Sequence, residues 1–374
     1  MTEPASRIPP TIRKETHIKK VIQEIEVGLI GFGFAGRVFH APVISTIPGL
    51  RLAAIVQRHG DSARELYPDA QLLRSVDDLL AQQSLRLIVV ATPTASHFSV
   101  AHQCLLHDRD VVVDKPFVTN SSEAIDLLRL AQQRRRILSV YQNRRWDGDF
   151  LTVRRLLQED VLGEIVLYES HYDRYRPQLR PGAWRELPEP GSGIWFDLGA
   201  HLVDQAVVLF GMPEAVSADL RIEREGAAVD DAFDVVLHYG KMRVLLRAGM
   251  LVCAPTPRFR LNGSRGSFVK FGLDPQEEAL KAGLKPSPGW GLEPEEMWGT
   301  LSLAEESATT STRIATAVGD YRRYYENVRD AVSSSAALEV ASQQILDVVR
   351  LLEIASESSG RRCTLPVSGM AAPA

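Results

Sequence analysis

The sequence predicts an α/β domain on a doubly wound parallel sheet, followed by an α+β domain with an open, mainly antiparallel sheet. Three observations carry this reading. Short apolar runs alternate with helical patterns from Ile25 to Tyr141, the rhythm of βαβ units in a parallel sheet. Three glycines, Gly31, Gly33 and Gly36, fall where the first strand should turn into the first helix. After about Trp146 the apolar residues fall into longer alternating segments, as expected of antiparallel strands with one buried face.

The parallel part reads in order as follows. Ile25 to Ile30 is the first strand. A helix after Gly36 ends before Pro48-Gly49, with Pro42 expected to kink or split it. Leu52 to Val56 and Leu72-Leu73 are the second and third strands, and Asp77 to Gln82 is helical. Leu85 to Ala91 is the fourth strand and Ser96 to Leu106 a helix. Val111 to Val113, an apolar run too short for a helix, is the fifth strand. Ser121-Ser122-Glu123 opens a further helix with serine as a cap, and Ile137 to Tyr141 is the sixth strand.

Beyond Trp146 a helix runs from Asp149 to Leu157. Strands follow at Ile165 to Tyr175, Ala215 to Ile222, Asp231 to His238, Arg243 to Met250, Phe259 to Leu261 and Ser267 to Phe271. A helix from Ile194 to Phe210 interrupts them and is stopped by Gly211 and Pro213. Asp274 to Glu306, rich in Gly, Pro and Glu, reads as a long surface excursion. Tyr321 to Ala331 and Ala337 to Ser356 are helices. The expected organisation is a polar extension (1–24), a dinucleotide-binding domain (25–145), a substrate-binding and oligomerisation domain (146–365) and a tail (366–374).

Composition bounds the function. At 374 residues, 45% hydrophobic and 24% charged, the chain has enough apolar material for two cores. A net charge of −4 gives no pull towards nucleic acid or an anionic membrane. No apolar run approaches the ~20 residues that span a bilayer. The first 24 residues lack the apolar core of a secretory signal. Cys104, Cys253 and Cys363 are far apart, without metal-ligand spacing, and fit a reducing cytoplasm.

Gly31-Phe32-Gly33-Phe34-Ala35-Gly36 is G-x-G-x-x-G between a strand and a helix, the context in which it holds a dinucleotide. Gly31 allows the tight turn, Gly33 lets the backbone approach a pyrophosphate, and Gly36 permits close helix–strand packing. The alternative is a chance cluster of glycines in a turn. The second strand ends in Val56-Gln57-Arg58-His59, without the Asp or Glu that binds ribose hydroxyls in an NAD site. Arg58 can instead meet a 2′-phosphate, with Gln57 bonding nearby, so the expected cofactor is NADP(H). Against this, Arg58 can be a solvated charge or stack on adenine. Ligands of such sheets lie beyond the strand carboxyl ends, which adds Thr92, Pro93, His97 and Asp114 to the expected cofactor contacts.

Asp114-Lys115-Pro116 directly follows the fifth strand, with a cis Lys115–Pro116 bond allowed. A lysine there sits beside the cofactor and polarises a substrate oxygen; the commoner role of such a residue is a surface lysine before a turn. Asp197 and His201, after the glycine-rich run Gly191 to Gly193, are i and i+4 on one helix face among apolar neighbours. A buried Asp–His pair suits a general acid/base acting on a hydroxyl. The alternatives are a core hydrogen bond or half of a metal site, and no third ligand has obvious spacing; the expected site is metal-free. Asn143 and Trp146 lie at the domain boundary. On a strand, His171, Asp173 and Tyr175 point one way and Tyr172, Arg174 and Arg176 the other. The first set is expected to offer hydrogen-bonding groups to a polyol; exposed ion pairs and inter-domain packing are the alternatives for these clusters.

Taken together, Gly31 to Gly36, Thr92-Pro93, Asp114-Lys115-Pro116 and Gly191 to His201 resemble the glucose-fructose oxidoreductase / inositol dehydrogenase / rhizopine catabolism (Gfo/Idh/MocA) family over about Ile25 to Leu365. Asp114 replaces the family's usual Glu. Val38 to Pro42, Val113 to Phe117, Asn143 to Asp147, His171 to Pro177, Gly263 to Ser267 and Phe271 to Glu277 are similar to its NADP-dependent scyllo-inositol dehydrogenase branch. The resemblance implies a Rossmann domain, a catalytic triad of Lys115, Asp197 and His201, and a second domain whose sheet builds a homodimer or homotetramer. It implies hydride transfer between NADP and a cyclic polyol or sugar, with scyllo-inositol and scyllo-inosose as the first pair. An aldose or other sugar is the alternative substrate, and a non-catalytic NADP-bound sensor the alternative function.

Overall fold

Six short strands pair side by side, and the central ones are apolar because they are buried on both faces. The computed structural model describes residues 24–367 except 181, 183, 306, 307 and 335; the amino-terminal extension before residue 24 and the tail beyond 367 lie outside it. The strands are β1 (Ile25–Ile30), β2 (Leu50–Val56), β3 (Gln71–Leu73), β4 (Leu87–Val90), β5 (Asp110–Val113) and β6 (Leu138–Val140). They form a parallel sheet in the order β3-β2-β1-β4-β5-β6. Every residue of β4 and β5 is buried, which explains apolar runs in place of alternation. The order reverses between β1 and β4, and the crevice at such a reversal is where ligands of these sheets bind. The strand-to-helix turn at Gly31 is packed there: Gly31 has φ +99°, and a Cβ on it would lie 2.5 Å from the Ala91 carbonyl oxygen.

The second sheet has nine strands. They are β7 (Ile165–His171), β8 (Ala215–Arg221), β9 (Ala232–Tyr239), β10 (Met242–Gly249), β11 (Phe259–Gly263), β12 (Gly266–Lys270), β13 (Gly299–Ala304), β14 (Thr309–Ile314) and β15 (Leu365–Pro366). The order is β14-β13-β12-β11-β7-β10-β9-β8-β15, antiparallel except where β7 meets β10. Helix Ala200–Phe210 and the later part of helix Ser342–Arg361 share one core with this sheet through Leu202, Val203, Leu351 and Leu352.

Four elements differ from expectation. The stretch read as a surface excursion holds helix Gln276–Lys281 and strand β13, which pairs with β12 and with β14 beyond it. β14 is mostly exposed and reads Thr-Thr-Ser-Thr-Arg-Ile, so no apolar period announces it; pairing along the sheet edge makes it a strand. β7 stops at His171 and not Tyr175, because its antiparallel partner β11 begins at Phe259, opposite Ser170. The chain stays extended beyond it, and Tyr175 forms only an isolated bridge with Leu251.

The chain also returns to its first domain. Tyr324, Tyr325 and Val328 of helix Arg322–Ser334, with Ile345, Leu346 and Val349 of the last helix, join the core of the parallel sheet. Val348, Leu351 and Leu352 of that last helix join the other core. One amphipathic helix thus fastens both domains. No helix among the described residues is long and apolar enough to cross a membrane.

The glycine loop gives a testable contrast. A Cβ on Gly36 would lie 2.0 Å from the Gly31 carbonyl oxygen, whereas one on Gly33 meets nothing within 4 Å. Gly36→Ala should cost about 1–3 kcal/mol in denaturant melts through overpacking, and Gly33→Ala should leave stability unchanged. Equal stabilities for the two variants would contradict this packing.

Candidate active site

The end of β5 is braced before it reaches Lys115. Asp114 Oδ1 accepts a hydrogen bond of 2.9 Å from the Lys115 backbone N–H, and the Lys115–Pro116 bond is cis. Buried His40 lies beside this turn, with Nε2 3.5 Å from Asp114 Oδ1 and Nδ1 2.6 Å from the Tyr325 hydroxyl. Burial works against the Asp114 charge, but His40, Lys115 and His97 outweigh it and hold the carboxyl below its ordinary range. His97 corrects an expectation. Its Nδ1 lies 2.9 Å from the Pro116 carbonyl oxygen and its Nε2 2.8 Å from that of Thr92. Both ring nitrogens are occupied by backbone, so His97 clamps the turn after β4 to the turn after β5 and has none free for a cofactor.

Asp197 and His201 arrive from the second domain. Gly193, at φ +83°, passes so close to Asp230 that a Cβ would lie 2.1 Å from its Oδ1. Asp230 holds the helix start: its carbonyl accepts from Ile194 N at 3.0 Å and its Oδ2 from Trp195 N at 2.7 Å. Burial pushes the Asp230 carboxyl up to about 6. The helix opens with a π turn over Trp195–Gly199 and continues as α-helix from Ala200. A π turn is wider than an α turn and recurs at functional sites; it breaks the regular i, i+4 stacking expected for Asp197 and His201.

The consequence is a different pairing. Lys115 Nζ donates to Asp197 Oδ1 and to the Asp197 carbonyl oxygen, both at 2.7 Å, and Arg185 Nε donates to the same Oδ1 at 3.2 Å. No hydrogen bond joins Asp197 to His201. Burial opposes the Asp197 charge, but Lys115 and then Arg185 overcome it and hold the carboxyl far below its usual range. His201 is 5% exposed, and its Nδ1 has no hydrogen-bond partner among the described residues. Burial first, then the Lys115 and Arg144 charges, keep its pKa well below the ordinary imidazole value, with Asp197 pulling weakly the other way. The result is a neutral, buried base beside an ammonium group.

These groups share a cavity of about 460 Å³ with Phe34, Ala35, Asp114, Tyr141 and Asn143, within the size range of small-molecule sites. Other expected substrate contacts are elsewhere. Trp146 is buried and packs edge-on against Tyr324, ring centroids 5.7 Å apart. His171 and Asp173 line a separate hollow, where His171 bridges Glu169 and Asp173 at 2.9 Å each. Tyr175 is 59% exposed. The alternation along this segment is as read, but Arg174 and Arg176 face the cavity. Sequence reading also passed over Arg185 and Asp230, which stand in loops without local pattern, and Tyr141, whose place at the end of β6 was the available signal.

At the cofactor end Phe32 turns inward and meets Tyr67 edge-on at 6.0 Å. Thr92 Oγ1 accepts from Ser96 at 2.8 Å, and Pro93 is exposed. Gln57 corrects another expectation: it accepts from Ala63 N at 2.9 Å and donates to Ser62 at 3.0 Å, so it caps the next helix. Arg58 is exposed and has no side-chain hydrogen bond or ion pair among the described residues. No cluster of three or more His, Cys, Asp or Glu able to hold a metal occurs among the described residues.

Comparison with known proteins agrees with this architecture. Residues 25–142 match the Gfo/Idh/MocA oxidoreductase family's NAD-binding Rossmann fold, and residues 154–367 its C-terminal alpha/beta domain. The oxidoreductase YdgJ of Escherichia coli (strain K12) is 43% identical, over 91% of this chain and 98% of that protein. The scyllo-inositol 2-dehydrogenase (NADP(+)) IolW of Bacillus subtilis (strain 168) is 35% identical, over 93% and 97%. The solved structure of yvaA from Bacillus subtilis superposes with a TM-score of 0.90 at 35% identity, covering 93% of this chain and 99% of that one.

The His201 environment has a measurable sign. Unfolded, this ring takes up a proton near 6.5; folded, it does so only at lower pH. Its burial therefore removes stability as pH falls below that value and has no effect above it. Between about pH 7.5 and about pH 5.5 the wild-type Tm should fall relative to that of His201→Gln. A constant difference across this range would contradict the assignment.

Proposed function

We propose that this chain, which belongs to the Gfo/Idh/MocA oxidoreductase family, is an NADP-dependent dehydrogenase interconverting a cyclic polyol or sugar hydroxyl and its ketone. The first candidate pair is scyllo-inositol and scyllo-inosose. The observation that carries the reading is one cavity holding both a fixed ammonium, Lys115, and a buried imidazole, His201, whose Nδ1 is unpartnered among the described residues, at the strand ends of a glycine-fingerprint sheet. The name borne by the Bacillus subtilis relative IolW supports the substrate and the cofactor.

The residues fit a dinucleotide. The backbone at Gly33 is open where a pyrophosphate would approach, and the turn after β2 carries Arg58, unpaired among the described residues, with no carboxylate before Asp61. The Gly31–Gly36 backbone would hold the pyrophosphate and Arg58 the 2′-phosphate. NADP supplies the hydride acceptor when bound. His201, kept neutral, takes the hydroxyl proton, and in the reverse direction returns it. A lysine ammonium has three N–H donors; Asp197 holds two, leaving one for the substrate oxygen. As the alkoxide develops, Lys115 stabilises it by charge in a site shielded from water. Asp197 positions Lys115 and keeps its charge paired until substrate enters.

Steady-state formation of NADPH tests the reading. With scyllo-inositol, Lys115→Met should lower kcat by about 10²-fold or more while cofactor affinity changes little. Retained turnover in that variant would remove Lys115 from the chemistry. Arg58→Ala should raise KM for NADP by roughly tenfold, with NAD unaffected; parallel loss with both cofactors would reassign Arg58 to adenine stacking. Turnover confined to an aldose would keep the mechanism and change the substrate.

A further inference from the structure

The cavity carries more positive charge than its acids answer. Lys115 and Arg185 both converge on Asp197. Arg144 pairs with Glu277 and lies 3.4 Å from Asp147, and Arg224 pairs with Asp231 at 2.8 Å. Arg174 and Arg176 line the same cavity, yet neither side chain makes a hydrogen bond or ion pair among the described residues. Arg180 at the rim is likewise unpaired there.

The main chain presents these two arginines deliberately. Arg174 N donates to Gly249 O at 2.9 Å, Val252 N to Arg174 O at 3.0 Å, and Arg176 N to Met250 O at 2.7 Å. With Tyr175 pointing outward, both guanidinia fall on the cavity side of an anchored, extended segment. Arg176 is held below its ordinary range, first by partial burial and then by the Arg174 and Arg180 charges. The pair also lies within electrostatic reach of the reaction centre: Asp197 responds to Arg174, and Arg176 to Asp197. Lys115, Arg174 and Arg176 line one cavity, so a substrate seated there is offered both the ammonium and this arginine wall.

We propose that Arg174 and Arg176, flanked by Arg180, form a subsite for an anionic substituent, so that the preferred substrates are polyols or sugars bearing a carboxylate or phosphate away from the carbon that is oxidised. This rests on the dehydrogenase reading above. A guanidinium fork matches a carboxylate or phosphate with two parallel N–H···O bonds. An anion placed there relieves the repulsion between the arginines and is only partly screened by solvent. A neutral polyol leaves those donors to water and is turned over without that gain.

The test compares matched substrates with the NADP-loaded full chain: glucose with glucuronate and with glucose 6-phosphate, and myo-inositol with its monophosphate. At low salt, kcat/KM for at least one acid should exceed that of its neutral parent by roughly tenfold. The advantage should shrink with added salt, and the carboxylate and phosphate arms identify which anion is taken. Arg174→Gln and Arg176→Gln should each lower the acid-to-neutral ratio severalfold. Parents equal to or better than every acid, or a ratio unchanged in the double variant, would overturn the subsite. If neither scyllo-inositol nor any member of the panel is turned over, the dehydrogenase reading fails by itself, and calorimetric titration with glucuronate and glucose 6-phosphate decides the subsite. Acid binding that is tighter than the parent's and lost in the double variant supports it; equal binding removes it.

Discussion

The ion pair between Lys115 and Asp197 is the constraint on which the site depends. Lys115 comes from the end of β5 in the first domain and Asp197 from the π turn that opens a helix of the second. Both side chains are largely withdrawn from water. Removing an ammonium and a carboxylate from water is costly unless they meet with good geometry and further bonds. Here they do, since the Asp197 carbonyl and Arg185 complete the arrangement. Burial first, and then the Lys115 and Arg144 charges, hold His201 neutral against the pull of Asp197. One contact therefore fixes the seam between domains and the charge of Asp197, and its lysine adds to the burial that keeps the neighbouring base neutral.

Several features serve that contact. His97 and His40 brace the turn carrying Lys115 from either side, one through backbone carbonyls and one through Asp114 and Tyr325. Asp230 fixes the amino end of the helix carrying Asp197, and Gly193 lets the loop pass against it. The last helix packs into both cores and keeps the domains in register. None of these residues needs to touch substrate to matter.

The parts of this arrangement that are local were legible in the sequence. Gly31 to Gly36, the all-valine run before Asp114, and the Asp197-to-His201 segment are each set within a few residues, and Phe34, Ala35, Asp114, Lys115, Asp197 and His201 from them line one cavity. What failed was long-range. Asp197 pairs with Lys115, 82 residues away, because the π turn displaces it from the i, i+4 face that an α-helix would give. Gln57 and His97 have the right chemistry for a ligand, but nearby backbone groups claim it first. For the segment around Arg174, period two gives the two faces and not which one meets the cleft; the packing of a separate domain decides that. β14 has a polar composition and becomes a strand only by joining an existing edge.

The central claim is that Lys115 and His201 act together on one substrate oxygen. A crystal structure of the protein with NADP and scyllo-inositol, or the anionic polyol selected by the kinetic panel, tests it most directly. The account predicts one substrate hydroxyl within hydrogen-bond distance of both Lys115 Nζ and a His201 ring nitrogen, with its carbon facing the nicotinamide. A polyol bound with its reacting hydroxyl away from both, or seated in the hollow beside His171 and Asp173, would contradict it.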